Sequence, residues 1–224
     1  MARIEVIGLS KTYLVGDTLI PAVDNVSLTI EQGDFMSIVG HSGSGKTTLV
    51  SMVGGILRPS SGQILYYDED LCRLDDDHLS EYRNAKIGFM FQFASLLPIL
   101  TTRENVQLPG LFGPGKTRLP KSRVEEYLEM VGLKDKMDAY PAQLSGGQQR
   151  RVAIARALIT APEIILADEP TGDLDEETEA EIMALFQRIN QEKKVTIILI
   201  THNLALAAKT RIRLRMTKGE LTTL

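Results

Sequence analysis

Two short stretches of the sequence have the residue types and spacing of a loop that binds phosphate. Residues 40–47 read GHSGSGKT and residues 110–117 read GLFGPGKT, and both fit the pattern G-x-x-x-x-G-K-[ST]. In such a loop, glycines let the backbone fold tightly around an anion, while backbone N–H groups and the lysine ammonium bind it. The pattern predicts a nucleotide-binding protein, and the surroundings of each stretch must decide which one binds.

The residues around the first stretch favour it as the binding loop. Residues 40–47 follow the apolar run FMSIV and precede a helical pattern, an order that directs the helix N-terminus at the phosphate. Residues 110–117 follow no strand, and Pro114, which has no N–H group, stands where the first loop has Ser44. We therefore predict that residues 40–47 form the site and that residues 110–117 are a surface loop that fits the pattern by chance.

The roles within the first loop follow from the chemistry of a nucleotide. We expect Lys46 to reach the β- and γ-phosphates, Thr47 to ligate Mg²⁺ through its hydroxyl, and Thr48 to add a hydroxyl at the α-phosphate. A glycine-rich turn without a ligand is the alternative, and the flanking strand and helix argue against it. The predicted nucleotide-binding residues of this loop are Gly40, His41, Ser42, Gly43, Ser44, Gly45, Lys46, Thr47 and Thr48.

A pair of acids follows the apolar run IILA at residues 164–167. If this run is a strand beside the phosphate loop, Asp168 at its C-terminal edge can hold Mg²⁺, directly or through water. Glu169, the next residue, points differently and can polarise an attacking water. The alternative is a solvated pair of acids at a strand end, which the phosphate loop makes the weaker interpretation.

The sequence LSGGQ at residues 144–148 leads into a helical pattern rich in arginine. Its serine hydroxyl, its N–H groups and the helix N-terminus would form a second anion-binding surface. Taken alone, the stretch is better explained as a helix N-cap at Ser145 followed by flexible glycines. Taken with the other motifs, anion binding is the preferred interpretation.

Together these motifs resemble the ATP-binding-cassette (ABC) ATPases, and the resemblance covers essentially all 224 residues. GHSGSGKT is similar to the family's Walker A motif, LSGGQ to its signature motif and ILADE to Walker B. Tyr13 lies where the family has an aromatic residue that stacks on adenine, and Gln92 resembles the Q-loop glutamine. Residues 172–175 (GDLD) resemble the D-loop, and His202 resembles the switch histidine.

The resemblance implies a mechanism in which two cassettes dimerise head to tail around two ATP molecules. Each ATP then touches the Walker A loop of one chain and the signature motif of the other. Glu169 is implied as general base, His202 as a contact to the γ-phosphate and to Glu169, and Gln92 as a sensor of Mg²⁺ that signals to a partner. The implied signature contacts are Ser145, Gly146, Gly147 and Gln148, and the implied Mg²⁺ residues are Thr47, Gln92 and Asp168.

Composition and periodicity predict one α/β domain of ordinary globular composition, with 43% hydrophobic residues and a net charge of −4. The resemblance divides this single domain, residues 1–224, into a P-loop NTPase core with a parallel sheet, an N-terminal antiparallel β-subdomain and an inserted α-helical subdomain at about residues 93–160. Strands are predicted at residues 4–9, 27–30, 35–39, 64–67, 87–91, 164–167 and 195–201, with a C-terminal hairpin, and helices at 47–57, 103–108, 121–131, 145–158 and 176–191.

The sequence also indicates the kind of partner. No run of 18 or more apolar residues occurs, so a membrane role has to come through another chain. A single cassette without coiled-coil or zinc insertions favours a transmembrane permease subunit and a peripheral location at the cytoplasmic face of the cell membrane. Residues 87–106 and the run ADEPTGDLD are similar to the ATPases of lipoprotein release, macrolide efflux and cell division.

Two alternatives remain at this point. One is a soluble ABC ATPase of DNA repair or translation, although the acidic balance predicts no nucleic-acid partner. The other is a small-molecule kinase, which would have no use for LSGGQ. Two positions depart from the family pattern: Asn203 stands where many relatives have Asp, and Arg150 where many have Gln. We expect neither to touch the predicted chemistry.

Overall fold

The N-terminal part of the chain forms an antiparallel sheet. The computed structural model describes residues 4–112 and 119–224. The strands of this sheet are β1 (Ile4–Val15), β2 (Thr18–Ile30), β4 (Ser61–Tyr66) and β5 (Glu69–Asp70), in the spatial order β2-β1-β4-β5. The hairpin of β1 and β2 is longer than predicted. The prediction missed its outer half because the residues there, apolar and polar alike, are exposed and lack the alternation that marks a half-buried strand.

A second sheet forms the centre of the molecule. Its strands are β3 (Phe35–Val39), β6 (Ile87–Met90), β7 (Ile164–Asp168), β8 (Thr196–Thr201), β9 (Ile212–Thr217) and β10 (Glu220–Thr223). The spatial order is β10-β9-β3-β8-β7-β6, with every neighbouring pair parallel except the edge pair of β9 and β10. The predicted α/β fold class, with a parallel-sheet core beside an antiparallel N-terminal sheet, is confirmed.

The helices include three between residues 102 and 158 that follow β6 in the chain. In chain order the helices are α1 (Lys46–Val53), α2 (Asp76–Lys86), α3 (Thr102–Gln107), α4 (Lys121–Met130), α5 (Gly146–Leu158), α6 (Glu176–Lys193) and α7 (Leu204–Ala207). Helix α1 ends four residues before the predicted end, at the pair Gly54-Gly55, because Gly55 has φ +69° and a left-handed residue cannot continue a right-handed helix. No described helix is long and apolar enough to cross a membrane.

The sequence analysis did not predict α2. This helix is mostly polar and buries only Leu79 and Tyr82, so its apolar period is weak. Its ends carry the clearer signal: Asp75 caps the first turn by accepting a hydrogen bond from the His78 N–H, and Arg83 and Lys86 lie in the last turn.

Alternate residues of the central strands pack on opposite faces of the sheet, which explains their unbroken apolar sequences. Ile165 and Ala167 of β7 lie in one core with residues of α4, α5 and α6. Ile164 and Leu166 lie in a second core with residues of β1, β4 and α1. The strands that lead into the predicted motifs are therefore held from both sides.

The second phosphate-loop pattern falls largely on residues 113–118, which lie outside the described residues, so its predicted surface position remains a prediction. Residues Leu108–Leu111, which include the first two residues of the pattern, form a 3-10 turn that continues α3. The segment that leads into this pattern is thus helical, unlike the strand that leads into residues 40–47.

Replacing Phe186 with alanine tests the core on the helical side of the sheet. Phe186 of α6 is completely buried. We expect Phe186→Ala to lower the free energy of unfolding by about 3–5 kcal/mol, measured by urea denaturation. The control Phe93→Ala removes a ring that is 67% exposed and should cost no more than about 0.5 kcal/mol. Equal losses in both variants would contradict this account of the core.

Candidate functional site

The loops after four neighbouring parallel strands meet at one edge of the central sheet. The register aligns Val39 of β3 with Thr201 of β8, and Asp168 of β7 with Ile200 of β8. Each strand is followed by one of the predicted motifs, and carboxyl ends of parallel strands are where open α/β sheets bind ligands. A cleft of about 530 Å³ opens there, lined by Ala22, Ser42, Gly43, Gly45, Lys46, Thr47, Thr48, Gln92, Asp168, Glu169 and His202.

The phosphate loop requires glycine at two close approaches of backbone to backbone. Gly45, the residue before α1, has φ +104°, and a Cβ there would lie 1.9 Å from the Ala22 carbonyl oxygen. A Cβ at Gly40 would lie 2.3 Å from the Met216 carbonyl oxygen. These contacts hold the loop between β2 and β9, with the N-terminus of α1 at the cleft.

Lys46 is the buried cation of the cleft. Its ammonium donates hydrogen bonds to the carbonyl oxygens of Gly40, at 2.8 Å, and His41, at 2.9 Å. Burial lowers the pKa of Lys46, and the nearby carboxylates of Glu169 and Asp168 oppose this effect. The loop thus holds a partly desolvated positive charge where an anionic group would be stabilised.

Asp168 is the matching anion and is half-buried. The Thr47 hydroxyl donates a 2.8 Å hydrogen bond to its Oδ2 atom. Burial raises the pKa of Asp168, partly offset by that hydrogen bond, so the carboxylate takes up a proton at a higher pH than an ordinary aspartate. A hydroxyl beside a carboxylate offers the oxygen ligands that Mg²⁺ prefers. The structure therefore brings together two of the three predicted Mg²⁺ residues.

Glu169 has a backbone conformation that is unusual for a side chain of its type. Its φ is +43°, in the left-handed region, and its N–H donates to the Ile200 carbonyl oxygen at 2.9 Å. This turn directs the carboxylate towards His202, whose Nδ1 lies 3.3 Å from Oε1 of Glu169. Strain of this kind at a cleft is typical of functional positions.

Gln92 and Tyr13 occupy different parts of the site. Gln92 follows β6 and lines the cleft opposite the phosphate loop. Tyr13 is not among the described residues that line the cleft, but it lies on β1 opposite Ile20 of β2, the strand that contributes Ala22. The Tyr13 ring is 39% exposed, and the Lys11 ammonium lies 5.6 Å from its centroid.

The predicted signature residues lie in a separate cleft. In the described chain none of residues 145–148 lines the phosphate cleft; three of them line a second one of about 320 Å³ with Thr178 and Glu181. Ser145 is the N-cap of α5: its Oγ accepts from the Gln148 N–H, and the Gln148 side chain accepts from the Ser145 N–H. The N-cap interpretation and the anion-binding interpretation are thus compatible, because the hydroxyl keeps its own proton to donate.

The remaining loop residues support the fold of the loop rather than line the cleft. His41 is exposed, and its carbonyl oxygen accepts from the Ser44 N–H at 3.2 Å. Ser44 is buried, and its carbonyl oxygen accepts from the Gly219 N–H of the C-terminal hairpin. Sequence reasoning missed Ala22, because nothing in the residues around it marks it as part of a site. Ala22 reaches the cleft because β2 passes next to Gly45.

Both positions that depart from the family pattern lie closer to the site than the sequence indicated. The buried Arg150 guanidinium donates to the carbonyl oxygens of Phe91, at 3.4 Å, and Gly172, at 3.1 Å. Phe91 precedes Gln92, and Gly172 belongs to the GDLD loop. Asn203 donates through its side-chain nitrogen to Oε1 of Glu179 at 3.1 Å. The two side chains therefore tie together loops that carry predicted site residues.

Comparison with known proteins gives the family of this arrangement. The profile of the ABC transporter family matches residues 23–172. The lipoprotein-releasing system ATP-binding protein LolD of Syntrophotalea carbinolica is 40% identical over 221 residues, which are 99% of this chain and 97% of that protein. The chain belongs to the ABC transporter family. The macrolide export ATP-binding/permease protein MacB of Syntrophobacter fumaroxidans is 43% identical, and this ABC chain spans 31% of its length.

A solved ABC cassette has the same fold. The dimeric structure of the Methanocaldococcus jannaschii cassette MJ0796, in a post-hydrolysis state bound to ADP and Pi, has a TM-score of 0.88 and 40% identity to this chain. The match covers 99% of this chain and 98% of that one. The ABC chain described here thus has the cassette fold of MJ0796, and its similarity to LolD and MacB places it in their branch.

Substituting Gly45 tests the loop geometry of this cassette. We expect Gly45→Ala to weaken ATP binding by at least about tenfold, measured by calorimetry, because the new Cβ clashes with the Ala22 carbonyl and displaces the loop. Gly16→Ala is the matched control: it places alanine at φ +60° with no atom within 4 Å of the new Cβ. Its ATP affinity should be unchanged, and a similar loss in both variants would contradict the proposed clash.

Proposed function

We propose that this chain is the ATP-binding and ATP-hydrolysing subunit of an ABC transporter, acting on a separate membrane subunit. The observation that carries the proposal is the meeting of Lys46, Thr47, Asp168, Glu169 and His202 in one cleft. A cation for phosphate, oxygen ligands for a metal and a carboxylate paired with histidine are the parts that phosphoryl transfer to water needs. We propose the whole chain, residues 1–224, as one cassette with its helical insert at about residues 93–160.

Each side chain of the cleft has a distinct task in this proposal. Lys46 and the loop N–H groups bind the β- and γ-phosphates, and Thr48 adds a hydroxyl at the α-phosphate. Glu169 accepts a proton from the attacking water, and His202 orients that carboxylate and contacts the γ-phosphate. Tyr13, exposed on the hairpin above the loop, offers a ring for the adenine to stack on.

The residues of the cleft also fit Mg²⁺. Thr47 and Asp168 would hold the ion, with Gln92 on the facing wall. Among the described residues no group of three or more His, Cys, Asp or Glu side chains has the geometry to hold a metal ion by itself, so phosphate oxygens and water would complete the coordination, as is usual for Mg²⁺. When bound, the ion neutralises charge on the phosphates.

We further propose that ATP binds between two copies of the chain. The signature residues lie in a cleft of their own, and their N–H groups and the N-terminus of α5 suit an anion that a second chain would supply. A head-to-tail dimer brings the phosphate loop of each copy to the signature of the other, so both contacts occur twice. The dimeric MJ0796 structure with ADP and Pi supports this arrangement by similarity.

The ATP-dependent mass of a Glu169→Gln variant tests this proposal. Removing the base should leave MgATP bound but stop its hydrolysis, so the closed dimer accumulates. We expect light scattering to show a shift from monomer to dimer on addition of MgATP, and steady-state ATPase activity at least about 100-fold below the wild type.

The second variant for this test is Glu169→Gln combined with Ser145→Arg. The arginine would fill the signature cleft, so the double variant should bind ATP and remain monomeric. Its matched control is Glu169→Gln with Arg substituted at the exposed Ser80, which lines neither the phosphate cleft nor the signature cleft and should leave dimerisation intact. ATP binding without a mass shift in Glu169→Gln would show that closure does not occur between two copies of this chain alone.

The proposed membrane partner fits a groove beside Gln92. The groove has a volume of about 440 Å³ and lies where β6, α2, α5 and the 3-10 turn after α3 come together. Phe89 and Phe91 stack on each other along its wall, and the side chains of Arg83 and Arg156 add positive charge to the lining. A short helix of a permease subunit, with apolar and acidic residues, suits these walls.

That subunit would hold the chain at the cytoplasmic face of the membrane. The proposed settings are lipoprotein release and macrolide or peptide efflux.

Substituting Phe91 tests the groove. With the tagged chain expressed in its own host, we expect the wild type in the membrane pellet and Phe91→Glu largely in the supernatant, because a carboxylate in the apolar wall opposes docking. Leu14→Glu, at a 69% exposed apolar position on the β1–β2 hairpin, is the control and should stay in the pellet. If both variants remain in the pellet, the groove is not the docking site.

A further inference from the structure

One carboxylate of α6 joins two loops of the phosphate cleft. Thr171 donates through its hydroxyl to Oε2 of Glu179 at 3.3 Å, and Asn203 donates through its side-chain nitrogen to Oε1 at 3.1 Å. Thr171 lies two residues after Glu169, and Asn203 directly follows His202. The two oxygens of Glu179 thus tie the segment after the proposed base to the segment that carries the histidine.

The orientation of the Asn203 amide is determined by its other contacts. Its Oδ1 atom accepts from the Ala205 N–H at 2.9 Å and so caps α7, which leaves the amide nitrogen facing Glu179. The Asn203 backbone N–H donates to the Thr201 hydroxyl at 3.0 Å. The amide oxygen, the amide nitrogen and the backbone N–H of Asn203 therefore each have a hydrogen-bond partner. A carboxylate at this position would have no N–H to donate to Glu179 and would repel its negative charge.

His202 depends on such support. Its side chain is 68% exposed, and its ion-pair contact is the 3.3 Å approach of Nδ1 to Glu169. An exposed imidazole with one long contact has its position set mainly by the backbone on either side of it. Glu179, in contrast, lies on a helix whose Ile182 and Met183 are completely buried, so its backbone is rigid.

We propose that Glu179 and Asn203 form a clamp that positions His202 against Glu169 for hydrolysis. Glu179 is a positioning residue: it does not line the phosphate cleft, but its carboxylate holds the two loops that carry Glu169 and His202. The inference rests on the proposed ATPase function. It adds a residue outside the recognised motifs and a reason for the amide at position 203.

Asn203→Asp separates the clamp from the helix cap. A carboxylate oxygen can still accept from the Ala205 N–H, so the cap survives, while a second negative charge comes to lie about 3 Å from Glu179 and opens the clamp. We expect kcat for ATP hydrolysis to fall by about tenfold, with KM for ATP and the affinity for ATP within about twofold of the wild type. A purely structural defect would instead lower the melting temperature and ATP binding together.

Glu179→Gln on the Asn203→Asp background is the rescue variant. A glutamine can donate to the new carboxylate at position 203 and accept from the Thr171 hydroxyl, so kcat should return to within about threefold of the wild type. Glu192→Gln on the same background makes the same chemical change at the exposed far end of α6 and should not rescue. Thr171→Val, which removes the other bond of the clamp, should lower kcat without changing KM.

The outcomes separate this inference from the proposed function. An unchanged kcat in Asn203→Asp and Thr171→Val, or equal rescue by Glu179→Gln and Glu192→Gln, would overturn the clamp while leaving the ATPase intact. If Asn203→Asp fails to fold, Thr171→Val alone decides. A wild-type protein that hydrolyses no ATP, alone or with its membrane partner, would overturn the proposed function and this inference with it.

Discussion

The parallel register of β3, β8, β7 and β6 is the constraint on which the rest of the structure depends. Backbone hydrogen bonds align these strands so that their carboxyl ends form one edge, and the four loops that leave that edge carry the phosphate loop, His202, the acid pair and Gln92. Because successive side chains point to opposite faces, slipping one strand by one residue would exchange its two apolar faces between two different cores. The cores on both sides of the sheet therefore fix the register, and the register fixes the site.

Within the cleft, burial sets the electrostatics. The pKa of Lys46 is lowered and that of Asp168 is raised, both chiefly by desolvation, so each group lies in surroundings that disfavour its charge. A ligand that carries phosphate and a divalent cation would offer each of them an opposite charge. Glu169 adds backbone strain at the same edge, with its left-handed φ held by the hydrogen bond to Ile200. The cleft is thus preorganised for a ligand that carries both the negative charge of phosphate and the positive charge of a divalent cation.

The site is also connected to two other surfaces of the molecule. Arg150, on the helix that begins at the signature motif, binds the carbonyl oxygens before Gln92 and within the GDLD loop. The buried guanidinium therefore ties the helix that begins at the signature cleft to Phe91, which lines the apolar groove and directly precedes Gln92 of the phosphate cleft. Such a connection suits the proposed function, in which a second chain at the signature and a membrane subunit at the groove both respond to one nucleotide.

The sequence by itself predicted the α/β fold class, the phosphate loop and the acid pair, because these depend on local spacing: an apolar strand, a glycine-rich turn and a helix start are all adjacent in the chain. Gln92 and His202 were predicted from the resemblance to the ABC ATPases and not from spacing. Local spacing could not reveal α2, whose apolar face is two residues wide, or the extent of the β1–β2 hairpin. Only the tertiary structure brought Ala22 to Gly45, which lies 23 positions later in the chain, and Glu179 to Asn203, which lies 24 positions later. Such contacts depend on how packed elements cross, and no local pattern of residue types encodes that.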